Sequence, residues 1–263
     1  MRAQTLLCAG LAIVAFSAAV PSAVAADASG TAIAVRQSTS ANGPDGNRIL
    51  QTSAPVFSGD RIVTSSQGQA QIQFVDQTKL VVGPNSSLLI DQFVFAGKTA
   101  DKVSINAVKG SLRFITGISP KKAYAIKTPT ATIGVRGTQF DLSVVNGVTT
   151  FALFEGGARV CDNRGRCLDL RGNCEVAVIP AQNDIQHLSP GASTAQYLVA
   201  SLPYVRSQSS LRPEFRVDAS GCGLGRSQSI TPSPSFAPTP SIPTPAAPPS
   251  DGGGGEGEGG NNL

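Results

Sequence analysis

Short runs in which apolar and polar residues alternate dominate the middle of the chain. Ala70, Ile72 and Phe74 fall on one face while Gln69, Gln71 and Gln73 fall on the other. Val103, Ile105 and Ala107 alternate with Ser104 and Asn106, and Phe140, Leu142 and Val144 alternate with Asp141 and Ser143. A period of two is that of a pleated strand with one buried face. The runs are broken at Gly59-Asp60, Gly83-Pro84, Gly97-Lys98, Gly117 and Gly156-Gly157, residue types that favour turns. Asn146-Gly147, set between Val145 and Val148, is the clearest hairpin signal, because both central residues of a type I′ turn need positive φ. The pattern predicts an all-β fold of many short strands: a sandwich, a roll or a short solenoid. One helix is predicted over Ala192–Ser201, stopped by Pro203.

The two ends read differently from the body. Arg2, the apolar run Leu6–Val20 and the small-x-small sequence Ala23-Val24-Ala25 have the form of a cleavable export signal over residues 1–25. The run is short of the ~20 residues a spanning helix needs, so no transmembrane segment is expected in the mature chain. Residues 26–54 are read as lead-in strands, 55–190 as the β domain and 191–226 as a C-terminal segment. From residue 227 to 263 the composition turns to Pro, Ser, Thr and then Gly and Glu, which is expected to be disordered for want of apolar surface to bury. The chain has no tryptophan, so its core must be built from Val, Ile, Leu and Phe.

Charge excludes more than it suggests. Removing the leader takes away Arg2 and no acidic residue, which lowers the formal charge of +4 by one, too mild to imply a nucleic-acid partner. No Lys or Arg follows Arg226, whereas Asp251, Glu256 and Glu258 do, so the body is basic and the tail acidic. Beyond Cys8 in the leader, the cysteines are Cys161, Cys167, Cys174 and Cys222, an even number that in an exported protein reads as two disulfides. Of the three pairings, Cys161–Cys167 with Cys174–Cys222 is favoured. The first pair flanks a good hairpin loop, Asp162-Asn163-Arg164-Gly165-Arg166, and the second would tie the C-terminal segment to the sheet. Zinc is not expected, because the cysteines lack paired CxxC spacing and His187 is the single histidine.

Catalytic motifs are lacking. Ala96-Gly97-Lys98-Thr99 ends like a phosphate loop, but Gln92 stands where that motif needs glycine. Gly221-Cys222-Gly223-Leu224-Gly225 lacks the strand-to-helix setting of a dinucleotide site and reads as a tight loop presenting Cys222. Carboxylates are scattered, and Asp60 and Asp76 sit at turn positions where Asp bonds the local backbone. No catalytic, cofactor or metal residues are assigned.

The order of motifs is nonetheless distinctive. Gly59-Asp60-Arg61-Ile62-Val63-Thr64 is followed by Gly68 and the strand Ala70–Val75. Lys109-Gly110-Ser111-Leu112-Arg113-Phe114 then leads to Thr128-Pro129-Thr130-Ala131-Thr132-Ile133-Gly134-Val135-Arg136-Gly137-Thr138-Gln139-Phe140, and the series closes on Phe154-Glu155-Gly156. This series resembles the FecR domain over about Pro55 to Val178. The resemblance implies a periplasmic β domain that senses an outer-membrane receptor in a Gram-negative envelope. With an export signal read at residues 1–25, no counterpart is expected here for the cytoplasmic sigma-binding segment and membrane helix of the regulators in that family. It marks Gly59, Asp60, Thr128, Pro129, Gly134, Arg136, Gly137, Thr138, Phe140, Glu155 and Gly156 as signature residues, structural or partner-binding. Gln77 stands where the family usually has glycine after Asp76, and Gly157 adds a residue after Glu155-Gly156.

Physical chemistry gives the signature a structural reading of its own. Pro129 fixes its φ and pushes Thr128 into extended conformation. Gly134 and Gly137 permit bends within a strand, and Arg136 is expected to clamp Asp141 or Glu155. Two function classes follow. The first is an envelope recognition module that binds a protein partner, with an unpaired strand edge beside Gln69–Val75 suited to strand addition. The alternative is a structural or adhesive protein meeting polysaccharide, with hydrolysis less favoured than either. The expected location is periplasmic or secreted.

Overall fold

The computed structural model describes residues 27–44, 46–96, 99–182 and 184–224. The expected leader (1–25) and tail (227–263) lie outside the described residues.

The described chain is mostly strand. In order these are β1 Gly30–Arg36, β2 Thr39–Gly43, β3 Gly46–Ile49, β4 Pro55–Val56, β5 Arg61–Thr64, β6 Gln69–Phe74, β7 Lys79–Val82 and β8 Ser87–Ala96. They continue with β9 Thr99–Ile115, β10 Tyr124–Lys127, β11 Ala131–Val145, β12 Val148–Asp162, β13 Cys167–Leu170, β14 Val176–Pro180 and β15 Gln186–Leu188. All belong to one mixed sheet, in which β9 and β10 run parallel and the other pairs antiparallel. The predicted helix is present as α1, Ala192–Ser201, and Pro203 opens a further turn, α2, Pro203–Arg206.

Three long strands give the sheet two halves. The C-terminal part of β9 (110–115) pairs with β7 on one side and β11 on the other, and β7 leads on to β6, β1 and β4. The N-terminal part of β9 pairs with β8 and β10, and β8 leads on to β5, β2 and β3. β11 and β12 likewise serve both halves, pairing with β9 and β14 at one end and with β10 and β13 at the other. Strands that pass between layers in this way need bends or bulges at the corner. β9 bends at Gly110, where φ is +91° and a side chain would collide with Ser86. The two halves close over one core that includes Ile72, Leu80, Phe114, Phe140 and Phe151 from the first and Ile62, Ile90, Ile105, Ile126 and Ile133 from the second. Phe74 of β6 stacks on Phe93 of β8 across it, with centroids 4.4 Å apart.

The Asn146-Gly147 hairpin forms as the sequence predicts, with φ of 50° and 74°. The strand edge expected beside Gln69–Val75 does not exist. β6 lies between β1 and β7 and is hydrogen-bonded on both sides. Its glutamine face is not solvated either, since Gln69 and Gln71 are buried. They are covered by the C-terminal segment, which runs over the outer face of the first half. Gln69 Nε2 donates to the Tyr204 hydroxyl (3.0 Å), and Gln71 accepts from the Arg212 amide (2.9 Å). Beside this polar contact, Leu198, Leu202, Val205 and Val217 pack on Phe154, Val176 and Val178. The Cys174–Cys222 disulfide fastens the segment to the sheet, and Cys161–Cys167 joins β12 to β13, which is the pairing the sequence favours. Over the second half, the outer positions Lys127, Thr132, Gly134, Arg136 and Arg159 remain exposed.

Candidate interaction site

The signature residues meet at the corner where β11 and β12 pass between the two halves. In the ladder Arg136 lies opposite Gly157 and Gln139 opposite Glu155, so the register slips between them. Gly137 (φ +65°) and Gly156 (φ +86°) supply left-handed conformations that favour glycine. A Cβ on Gly156 would strike the Gly137 carbonyl, so the two backbones approach as only glycine allows there. Thr138 locks the bulge from inside. Its hydroxyl donates to the Gly157 carbonyl (3.0 Å) and accepts from the Arg136 amide (2.9 Å), and its own amide donates to Thr116 Oγ1 (2.8 Å). Phe140, next inward, is fully buried between Phe114 and Phe151. Gly134 makes no bend: it sits in regular ladder opposite Arg159 with open space above it.

What this corner presents outward is Arg136 and Glu155, both exposed. The clamp expected between Arg136 and Asp141 or Glu155 is made by other groups. Glu155 accepts from Gln139 Nε2 at 2.6 Å. Asp141 is held by Arg113, whose Nε and Nη2 fork onto its two oxygens at 2.6 and 2.8 Å. Both side chains are sealed from solvent. Burial pushes the Asp141 carboxyl up from its ordinary value, against the pull of the Arg113 guanidinium. Arg113 also donates to Gln208 Oε1 and to the Tyr204 carbonyl (3.3 Å), and lies over the rings of Phe154 and Tyr204. Removing one partner from such a pair costs about 3–5 kcal/mol, because the other charge stays buried. The sequence carried a signal for Arg113: it is the polar residue between Leu112 and Phe114, on the face opposite the core. Its contact with the C-terminal segment could not be read, since Gln208 lies 95 residues away.

Beside the corner is a groove of about 400 Å³ lined by Gln139, Phe154, Glu155, Asn173, Arg216 and Asp218. The sheet contributes the first three and the C-terminal segment the last two. Amides, both signs of charge and an aromatic ring are thus within reach of one ligand. Asp218 is held below the usual carboxylate range by the Ser220 side chain and amide.

The other signature residues lie elsewhere. Gly59 (φ +89°) and Asp60 form the turn into β5, which is reached from β11 through β9 and β8. Asp60 is buried, forked by Arg48 (2.9 and 2.5 Å) and bonded by the Phe57 amide (2.8 Å). Thr128 and Pro129 make the turn into β11, where Thr128 Oγ1 accepts from the Ala131 amide (2.9 Å) and from Thr149 (2.8 Å). Asp76 is likewise buried. Its Oδ2 accepts from the hydroxyls of Thr78, Ser119 and Tyr124 at 2.9, 2.7 and 2.9 Å. Both turn aspartates therefore hold the fold together. Among the described residues, no cluster of three His, Cys, Asp or Glu side chains is placed to hold a metal ion, and no helix is long and apolar enough to cross a membrane.

Residues 60–159 match the family described as FecR protein. This stretch of the chain is a FecR domain. It spans the turn at Asp60, the core strands and the β11–β12 corner, and ends before the disulfide hairpin. Among solved structures, the chain is similar to two crystal structures of a protein from Parabacteroides distasonis assigned as an anti-sigma factor. Identity is 14% and 16%, each with a TM-score of 0.42, covering 53% and 52% of this chain. The matches span 63% and 64% of those chains, less than two thirds of their length. Comparison with curated proteins gives no match.

Proposed function

We propose that this chain is an exported, non-catalytic recognition module of the bacterial envelope, and that its FecR domain binds another protein at the β11–β12 corner. The observation that carries this reading is the contrast at that corner between a locked backbone and free-facing charge. Gly137, Thr138 and Gly156 fix the bulge, while Arg136 and Glu155 project from it beside the groove under Arg216 and Asp218. Charged groups held on rigid elements bind with little ordering loss, which is what specific recognition favours. The acidic side chains that a hydrolase would use support the same reading. Asp60, Asp76 and Asp141 are buried in structural networks, and Asp162 and Glu175 accept backbone amides. A place in the periplasm, reached by cleavage after Ala25, fits the two disulfides.

The test is in-cell crosslinking of the tagged chain, followed by identification of what it captures. One envelope protein is expected in stoichiometric amount, with capture reduced about tenfold or more by Arg136→Glu and by Glu155→Arg. Melting temperatures of both variants should stay within about 2 °C of the parent, since both side chains are exposed and the one bond lost, from Gln139 to Glu155, lies at the surface. If no protein is captured and the chain stays with envelope polysaccharide, the proposal fails and an adhesive role takes its place.

A further inference from the structure

The two disulfides occupy opposite environments. Cys174 and Cys222 are fully buried, inside the apolar cluster formed by Phe154, Leu198 and Val217. Cys167 is exposed and Cys161 half-buried, on the outer face that the C-terminal segment leaves uncovered. They are direct register partners on β12 and β13, and they close a loop of sequence separation 6.

That loop is held without the disulfide. The Asp162 amide donates to the Arg166 carbonyl (2.9 Å), and the Gly165 amide donates to the Asp162 carbonyl (3.0 Å). Asp162 Oδ1 accepts from the amides of Arg164 and Arg166 (2.9 Å each), and the Arg166 guanidinium bonds Oδ2 at 2.9 and 2.7 Å. Asn163 Nδ2 reaches back to the Pro129 carbonyl at 2.7 Å, tying the loop to the Thr128-Pro129 turn. On the far side of the pair, Leu168 packs against the main core. Breaking the sulfur–sulfur bond therefore leaves the two cysteines facing each other across an intact ladder.

We propose that Cys161–Cys167 is a thiol–disulfide exchange site of the folded protein, open to an external dithiol, whereas Cys174–Cys222 is sealed. A thiolate of the dithiol attacks Cys167 Sγ, the exposed sulfur, forming a mixed disulfide and releasing Cys161 as a thiolate that takes up a proton. The second thiol of the reductant, deprotonated, attacks its own sulfur in the mixed disulfide and frees Cys167. Two electrons pass to the protein and the dithiol leaves as its disulfide. Because the hairpin persists, the reverse reaction is equally open.

The experiment treats the purified oxidised chain with dithiothreitol under native conditions, quenches with a maleimide and reads labelling at each cysteine by peptide mass spectrometry. Cys161 and Cys167 are expected to label at least tenfold faster than Cys174 and Cys222, with circular dichroism unchanged. One common rate for all four cysteines, or labelling of Cys161 and Cys167 only when the protein is denatured, would overturn the proposal. A Cys161→Ser variant gives an independent reading. Its unpaired Cys167 should form a mixed disulfide with glutathione disulfide while the protein stays folded, and failure to do so in folded protein would show that the sulfur is not open.

Discussion

Gln77 shows how a single residue can depart from a pattern without changing the fold. It is the last of the three residues Val75-Asp76-Gln77 that the hydrogen-bonded pair Phe74 and Thr78 encloses between β6 and β7, and its φ is +66°. A three-residue hairpin loop of this kind wants a left-handed residue at its third position, where glycine is cheapest. A side chain with a Cβ there costs about 1–2 kcal/mol, part of which is returned by the lower freedom of the unfolded chain. The loop survives because Asp76 is anchored independently, by the Thr78 amide (3.0 Å) and three hydroxyls. Gln77→Gly should therefore stabilise the protein by about 0.5–1 kcal/mol, read as a higher urea midpoint with unchanged slope. A lower midpoint would mean that the glutamine side chain, and not the backbone, is what the turn needs. The position was legible from the sequence as a missing glycine after Asp76. That Asp76 and Asp60 are buried was not, because an aspartate next to a turn residue looks the same whether its far side meets water or three hydroxyls.

At the scale of elements, the long strands are what alternation could not reveal. Period-two patterns found the faces of β6, β9 and β11, and Asn146-Gly147 located the hairpin between β11 and β12. Yet β9 and β11 run for 17 and 15 residues and serve both halves of the sheet. In the sequence the corners show only as Gly110, Gly137 and Gly156, indistinguishable from the ends of short strands. The β12–β13 hairpin was easier, since its loop residues and flanking cysteines are adjacent in sequence. Its stability should depend on acid in a way that identifies Asp162. Burial would raise this carboxyl, but the Arg166 side chain and the amides of Arg166 and Arg164 hold it below its ordinary value of 3.8. The folded state then binds fewer protons than the unfolded one as pH falls from about 4. The contribution is fully present above that value and is lost on further acidification. In Asp162→Asn this part of the acid loss should vanish, so parent and variant should converge in stability between about pH 4 and pH 2. Parallel curves from thermal melts across that range would show that the Asp162 charge contributes nothing to folding.

The whole molecule depends on a segment whose role was only half visible in the chain. The helix α1 and the bond to Cys222 could be anticipated, but the surface they cover could not. Gln69, Gln71, Arg113 and Asp141 look like the wet face of a sheet, and become a buried contact only because residues 203–217 lie on them. Polar burial of this kind is stable only while every group keeps its partner. Tyr204 is the group that joins both sides: its hydroxyl accepts from Gln69, its carbonyl accepts from Arg113, and its ring lies under that guanidinium. Burial, with the nearby Asp141 charge adding to it, pushes the Tyr204 hydroxyl from 10.0 up to about 12. The folded state thus keeps a proton that the unfolded state gives up. The contribution is whole below pH 10 and disappears as pH rises through 12. A shift of this size corresponds to roughly 3 kcal/mol over that interval. Tyr204→Phe has no proton to hold, so it should start lower, by about 1 kcal/mol for the lost Gln69 bond. Between pH 10 and 12 its stability should then fall by less than that of the parent. Denaturant titrations at several pH values measure both slopes, and if the two proteins fall together the C-terminal segment is not held through this hydroxyl.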